Sequence, residues 1–210
     1  QTDMQPLIAL FGKEEVTGDF FVDWLANELS VSAADILSYE LSTYPVESGC
    51  TLGLSGEMIS SPRLDNLTSA KACLDGILAA DNPDGLRLIA LFDNEEVGSG
   101  TKQGAKSSFL RDVLERICNN SETYKRAVAK SFMLSCDNAH AVHPNFADKS
   151  DGTNRVYMNG GIVIKYNANQ RYTTDAVSEA VVKYVCKNAG VPYQMYANRS
   201  DIPGGSTLGN

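Results

Sequence analysis

Histidine is scarce in this chain, with 2 among 210 residues. Positive charge is in deficit too: 18 Lys and Arg against 26 Asp and Glu leave a net charge of −8. That balance argues against a nucleic-acid partner and against an anionic membrane surface. No apolar run approaches the length of a membrane span. The N-terminus, Gln1-Thr2-Asp3-Met4, has neither a basic n-region nor an apolar h-region, so it does not read as a signal peptide. The five cysteines are scattered, odd in number and form no CxxC pair. This usage suits free thiols in a reducing compartment, and a cytoplasmic protein is the expectation. There is no internal repeat and no low-complexity tract. An initiator Met is absent, and the last residues, Gly204 to Asn210, have a turn-like composition. The expectation is an internal segment of something longer.

What is present begins with a hydrophobic share of 43%, enough to bury a core. The most informative stretch is Leu86–Lys102, LRLIALFDNEEVGSGTK. Leu86 to Phe92 is apolar, of strand length, and follows the turn signal Asn82-Pro83-Asp84-Gly85. Polarity then reverses within one residue, to Asp93, Asn94, Glu95 and Glu96. Ligands of α/β sheets bind outside the carboxyl ends of the strands. Carboxylates crowded there repel one another unless a cation sits among them, and a divalent metal is a suitable one. A solvated acidic turn is the alternative.

Elsewhere, helices are expected over Asp19–Ser30, from Asp65 or Asn66 through Leu78, over Ser107–Cys118, and over Asp175–Asn188. Each rests on apolar residues repeating with a helical period. Strands are expected at Ile36–Pro45, Ser131–Ser135, Ile162–Lys165 and Tyr193–Tyr196. Alternating strands and helices predict an α/β fold with a mixed, largely parallel sheet flanked by helices. Residues 1–57 carry no visible site chemistry and read as a packing or assembly element.

Three expected strand ends carry carboxylates: Asp65, the Glu95-Glu96 pair, and Asp137. Asp65 reads equally as a helix N-cap. Asp137 opens a polar burst that holds both histidines, His140 and His143. Two metals held about 3.5–4 Å apart require a bridging carboxylate with ligands on either side. A neighbouring free Glu then takes the proton of the attacking water.

Five ordered motifs strengthen this reading: SPRLDN (61–66), DNEEVGS (93–99), SCDNAHAVHPN (135–145), NGGIVIKYNANQRY (159–172) and RSDIPGGSTLG (199–209). Together they resemble the M18 family of metallo-aminopeptidases, the aspartyl aminopeptidase group. The resemblance implies a dinuclear zinc-peptidase-like α/β catalytic domain over residues 58–210, with residues 1–57 as the tail of an inserted oligomerisation domain. It implies hydrolysis of the N-terminal peptide bond of peptides, with a preference for acidic N-terminal residues. Two divalent ions are implied, zinc first, with cobalt or manganese as alternatives. Asp65 would bridge them, Glu96 and Asp137 would each bind one, and Glu95 would be the general base. His140, Lys165 and Tyr172 fall where the family contacts substrate. His143 reads as structural. The family's assembly implies a homo-oligomer, a dodecamer.

The chain departs from the family in one respect. Two metal-binding histidines, one upstream of Asp65 and one beyond the Gly-Ser-Thr-Leu-Gly turn, have no counterpart here. The isolated chain is therefore expected to bind zinc weakly and to be inactive by itself. Two other readings stand beside the peptidase: a metal-poor fragment acting only in assembly or binding, and a dinuclear peptidase of the M42 or M20 type.

Overall fold

The structure, a computed structural model, describes residues 7–10, 12, 18–81, 84–199 and 201. The turn at Asn82-Pro83 and the sequence from Ile202 to Asn210 lie outside the described residues. The chain divides into two compact units, Gln1–Glu47 and Ser48–Asn210.

The first unit holds helix α1, Phe20–Leu29, and a 3-10 turn at Ala33–Asp35. Ser30 ends α1 in the left-handed conformation, its N–H returning to Ala26 and Asn27 carbonyls. Ala26 is buried, and Phe21 packs between Trp24 and Tyr39, with ring centroids at 5.5 and 5.2 Å. The strand expected at Ile36–Pro45 does not form. Leu37, Leu41 and Tyr44 are exposed, and no described strand lies beside them to complete a ladder.

In the second unit, β1 (Cys50–Leu52) and β2 (Met58–Ser60) form an antiparallel hairpin. Helix α2 (Leu64–Ala79) follows. Helices α3 (Phe109–Cys118) and α4 (Ser121–Ala129) are joined at Asn119-Asn120, where Asn119 is left-handed and the Asn120 side chain caps α4 by accepting from Thr123 N. A 3-10 segment spans Pro144–Lys149. The best-formed block is β3 (Ile162–Tyr166), α5 (Ala176–Ala189) and β4 (Tyr193–Ala197). β3 and β4 pair in parallel, Lys165 opposite Tyr196. A capping box between Asp175 and Ser178 starts α5, and left-handed Gly190 ends it. Ile164 and Cys186 are buried here.

The fold is mixed α/β, as the alternating pattern predicts. Its sheets differ from that prediction: among the described residues there are two two-stranded sheets, one antiparallel and one parallel, in place of one largely parallel sheet. Neither Leu86–Phe92 nor Ser131–Ser135 is a strand. The physical reason is pairing. A strand exists through hydrogen bonds to a neighbour, and no described strand runs beside either segment. Leu86 and Leu91 stay 61% and 62% exposed, and Met133 and Leu134 60% and 62%.

Candidate metal centre and active site

Asp65 sits at the start of α2, where the backbone has not yet become helical. Arg63 before it is left-handed, and Asp65 and Asn66 depart from helical geometry, with ψ of 113° and 24°. The helix proper begins after them, so Asp65 projects from an irregular first turn. The N-cap position of α2 is Arg63, whose side chain makes no cap bond. The apolar residues expected to face inward only partly do so. Ala70 and Ile77 are half-buried, whereas Leu67, Leu74 and Leu78 are exposed.

The acidic turn is built by its glycines and asparagine. Asn94 adopts a φ of 62° and Gly98 a φ of 111°, while the Gly98 N–H donates to the Glu95 carbonyl at 3.0 Å. The Asn94 side chain donates to Thr101 Oγ1 at 3.1 Å, and Asp93 N donates to the Gln103 carbonyl at 3.3 Å. Behind the turn Ser99 is buried, and its carbonyl accepts from Lys106 N at 3.1 Å. Gly104 lies against the Ser99 backbone so closely that a Cβ there would collide with it. The turn carrying Glu95 and Glu96 is thus closed from both sides.

Asp137 is positioned from α2. Asn66 Nδ2 donates to the Cys136 carbonyl at 2.8 Å, and Asn138 Nδ2 donates to the Leu64 carbonyl at 3.1 Å. Thr68 and Ser69 hydroxyls donate to Asn138 Oδ1 at 3.1 and 3.4 Å. On the other side, Lys165 from β3 donates to Asp137 Oδ2 at 2.9 Å and to the Asn138 carbonyl at 2.6 Å. The Lys165 ammonium also stands 5.8 Å from the Tyr172 ring centre, and the Tyr172 and Tyr196 rings are 6.5 Å apart.

The electrostatics link these groups. Partial burial, then the Asp137 charge, a hydrogen bond with Asp137, and the Glu96 charge push the Asp65 carboxyl above its ordinary range. Glu95 is raised by partial burial first, then by Asp137, Glu96 and Asp65. Lys165 opposes both shifts. Tyr172 is raised by burial and then by Asp137. Asp65, Glu95, Glu96, Asp137, Lys165 and Tyr172 are therefore one group of electrostatic neighbours, drawn from segments up to 107 residues apart (172 − 65). His140 is placed differently. It lines an adjoining cleft of about 370 Å3 with His143, Phe146, Tyr196 and Arg199. A larger hollow of about 540 Å3, at the α3–α4 corner, shares no residue with this group.

The carboxylate oxygens are hard donors suited to a divalent ion. Their mutual repulsion, which a single Lys opposes, is what such an ion would relieve. In chemistry the donor set fits a metal. In number it falls short: among the described residues no three His, Cys, Asp or Glu side chains stand close enough to hold an ion between them. Asp65, Glu96 and Asp137 are near enough to feel one another's charge without forming a closed ligand shell.

With this geometry in view, the comparisons with known proteins are specific. Residues 3–210 match the family described as aminopeptidase I zinc metalloprotease (M18). The chain belongs to the M18 family. It is 43% identical over 213 residues to a protein named probable M18 family aminopeptidase 2 of Clostridium acetobutylicum, covering 100% of this chain and 49% of that protein. The chain thus spans about half the length of the curated relatives it matches. Among solved structures, the M18 chain superposes with a TM-score of 0.82 on a chain from the cryo-EM structure of the Ape4 and Nbr1 complex, at 38% identity, covering 93% of this chain and 42% of that one. It superposes with a TM-score of 0.71 on a chain of the mApe1 dodecamer of S. cerevisiae, at 26% identity, covering 85% and 43%. The family match leaves no role for an M42- or M20-type assignment. No helix among the described residues is long and apolar enough to cross a membrane.

Residue-type reasoning passed over Asn138, which ties Asp137 to α2, and the Ser99–Gly104 contact behind the acidic turn. Asn138 is visible in sequence only as one polar residue in a polar burst. The close-packed Gly104 has no local signature at all.

Proposed function

We propose that the protein from which this chain is drawn is a metal-dependent aminopeptidase that hydrolyses the N-terminal peptide bond of peptides. The observation that carries the reading is the convergence of Asp65, Glu95, Glu96 and Asp137 around the single ammonium of Lys165. Asp65, Glu96 and Asp137 would contribute ligands to divalent metal, zinc in keeping with the family description, and two ions are the number proposed. Metal held there would acidify a water and polarise the scissile carbonyl.

Glu95 is the general base. Its carboxyl is raised by its surroundings, which moves its proton affinity toward the working pH, as a base requires. It takes a proton from the attacking water and passes it to the departing amine. Lys165 fixes Asp137 and lies over Tyr172, so these two side chains form one wall of the site. His140, on the adjoining cleft, contacts substrate and donates to the developing oxyanion. The Lys165 ammonium is the cationic partner proposed for an acidic N-terminal residue. Residues 1–57 belong to an assembly region and residues 58–210 to the catalytic domain, and the working form is a homo-oligomer. The similarity to a dodecameric mApe1 supports that assembly. A cytoplasmic location is in keeping with five free thiols.

A second reading applies to this chain alone. The absence of a three-ligand group among its described residues favours weak metal binding and no turnover by the isolated segment.

The test uses the full-length protein. Glu95→Gln should retain its metal content by mass spectrometry and lose about 10²–10⁴-fold in kcat on aspartyl or glutamyl peptides. Full activity in that variant would refute the assignment. Equal kcat/KM on neutral and acidic N-termini would refute the proposed preference, and a monomer by light scattering would refute the assembly.

A further inference from the structure

The cleft beside the acidic group has a chemistry of its own. Its walls are the 3-10 segment Pro144–Lys149 and the end of β4. Arg199 spans them. Its Nη1 donates to the Asp148 carbonyl at 2.5 Å, while Nε and Nη2 donate to the Asp201 carboxylate at 3.0 and 2.6 Å. The Tyr196, His143 and Asp151 side chains, which also line the cleft, are engaged as well. The Tyr196 hydroxyl donates to Asn198 Oδ1, and His143 Nδ1 accepts from Asn145 N at 3.2 Å. Asp151 accepts from Thr153 N and Asn154 N at 3.0 and 2.7 Å. Phe146 is held from several directions. Its N–H donates to the His143 carbonyl at 2.9 Å, the His143 ring is tilted against it at 5.1 Å, and the Lys149 ammonium stands 5.1 Å from its ring centre. Yet Phe146 is 51% exposed, and it faces the cleft. A concave site of about 370 Å3 with a fixed aromatic wall, whose named hydrogen-bonding groups already have partners, suits an apolar occupant.

The position of the cleft says which apolar group that is. His140, three residues beyond Asp137 (140 − 137), lines it. So does Tyr196, which lies opposite Lys165 in the β3–β4 register and 6.5 Å from the Tyr172 ring. The cleft therefore opens off the acidic group on the side of His140 and Tyr196. The inference rests on the peptidase reading, in which Lys165 holds the first residue of the peptide and His140 meets the carbonyl to be cut. The amine on the far side of that carbonyl belongs to the second residue. We propose that the cleft takes the side chain of this second residue, that it selects a large apolar or aromatic one, and that Phe146 is the specificity-determining residue. The bond that breaks is the same for every peptide. The cleft adds affinity for the part that leaves.

The experiment gives the zinc-loaded full-length protein tripeptides of the form X-Y-Ala, with X Asp or Ala and Y Gly, Leu, Phe or Asp, and measures release of X. For either X, kcat/KM should be about 10–100-fold higher with Phe at Y than with Gly, and Leu should fall between. In Phe146→Ala the Phe-to-Gly ratio should shrink to about threefold or less. The dipeptides Phe-Ala and Gly-Ala, added as inhibitors of the unsubstituted protein, should differ in the same order, a measurement that does not need the variant to fold. Equal kcat/KM across Y, or the highest value for Asp at Y, would overturn this inference and leave the peptidase reading standing. A ratio preserved in Phe146→Ala, or equal inhibition by the two dipeptides, would overturn it as well. Release of X from none of the peptides would overturn the peptidase reading and this inference with it.

Discussion

The β3–α5–β4 block and the two apolar segments at 86–92 and 131–135 are built from similar residues, yet only the block becomes regular structure. In the block, each requirement is met nearby. α5 has its capping box at one end and Gly190 at the other, and β3 and β4 lie side by side in register. Gly161, with a φ of 100°, lets the chain approach the Pro192 backbone where a side chain could not fit, and Ile162 N donates to the Pro192 carbonyl at 3.0 Å. The two apolar segments have no such neighbour among the described residues, and much of their apolar surface faces solvent. A parallel βαβ unit is close to self-sufficient, whereas a single strand is half of an object.

Gly161→Val would break this contrast most sharply. It combines a left-handed backbone with a collision against Pro192, so β3–β4 pairing should be lost at a cost of about 3 kcal/mol or more, read by urea denaturation. An unchanged midpoint would mean the block is not what holds the second unit together. The charged cluster gives a smaller effect of predictable sign. Asp65 and Glu95 are raised in the folded chain, so the native state binds more protons than the unfolded state above pH ~4. The metal-free chain should therefore lose stability as pH rises through that window. The combined Asp65→Asn and Glu95→Gln variant should flatten this slope and be the more stable form at neutral pH. A slope unchanged in the variant would show that these two groups do not carry it. Leu88→Ser should do least. Leu88 is already 41% exposed, so its loss should cost under about 1 kcal/mol. A larger loss would show that Leu86–Phe92 is packed in solution.

These contrasts explain how far the sequence could be read. α1, α3 and α5 were legible because caps and apolar period act within a dozen residues, and β3 and β4 because a complete crossover lies between them. Leu86–Phe92 and Ser131–Ser135 looked like strands because composition reports the wish for a partner and says nothing of whether one is adjacent. That Asp65, Glu95, Glu96 and Asp137 feel one another's charge was foreshadowed by several acids at the ends of apolar runs, whereas their standing too far apart to close on an ion among the described residues was not. The way Lys165 turns toward Asp137 was not, since a strand-end lysine reads equally as surface charge. Helix α4 carried too weak an apolar stripe to be expected, and Asn120 supplies its start instead.

Asn138 reaches back to the helix that begins at Asp65 with an uncharged amide, touching Leu64, Thr68 and Ser69. The segment bearing Asp137 is thereby tied to the helix bearing Asp65 by neutral contacts, which ionic strength scarcely alters, whereas the Lys165–Asp137 ion pair is open to screening. The backbone on which the acids stand thus outlasts the salt that would quiet their repulsion, and that repulsion is what an arriving cation would discharge.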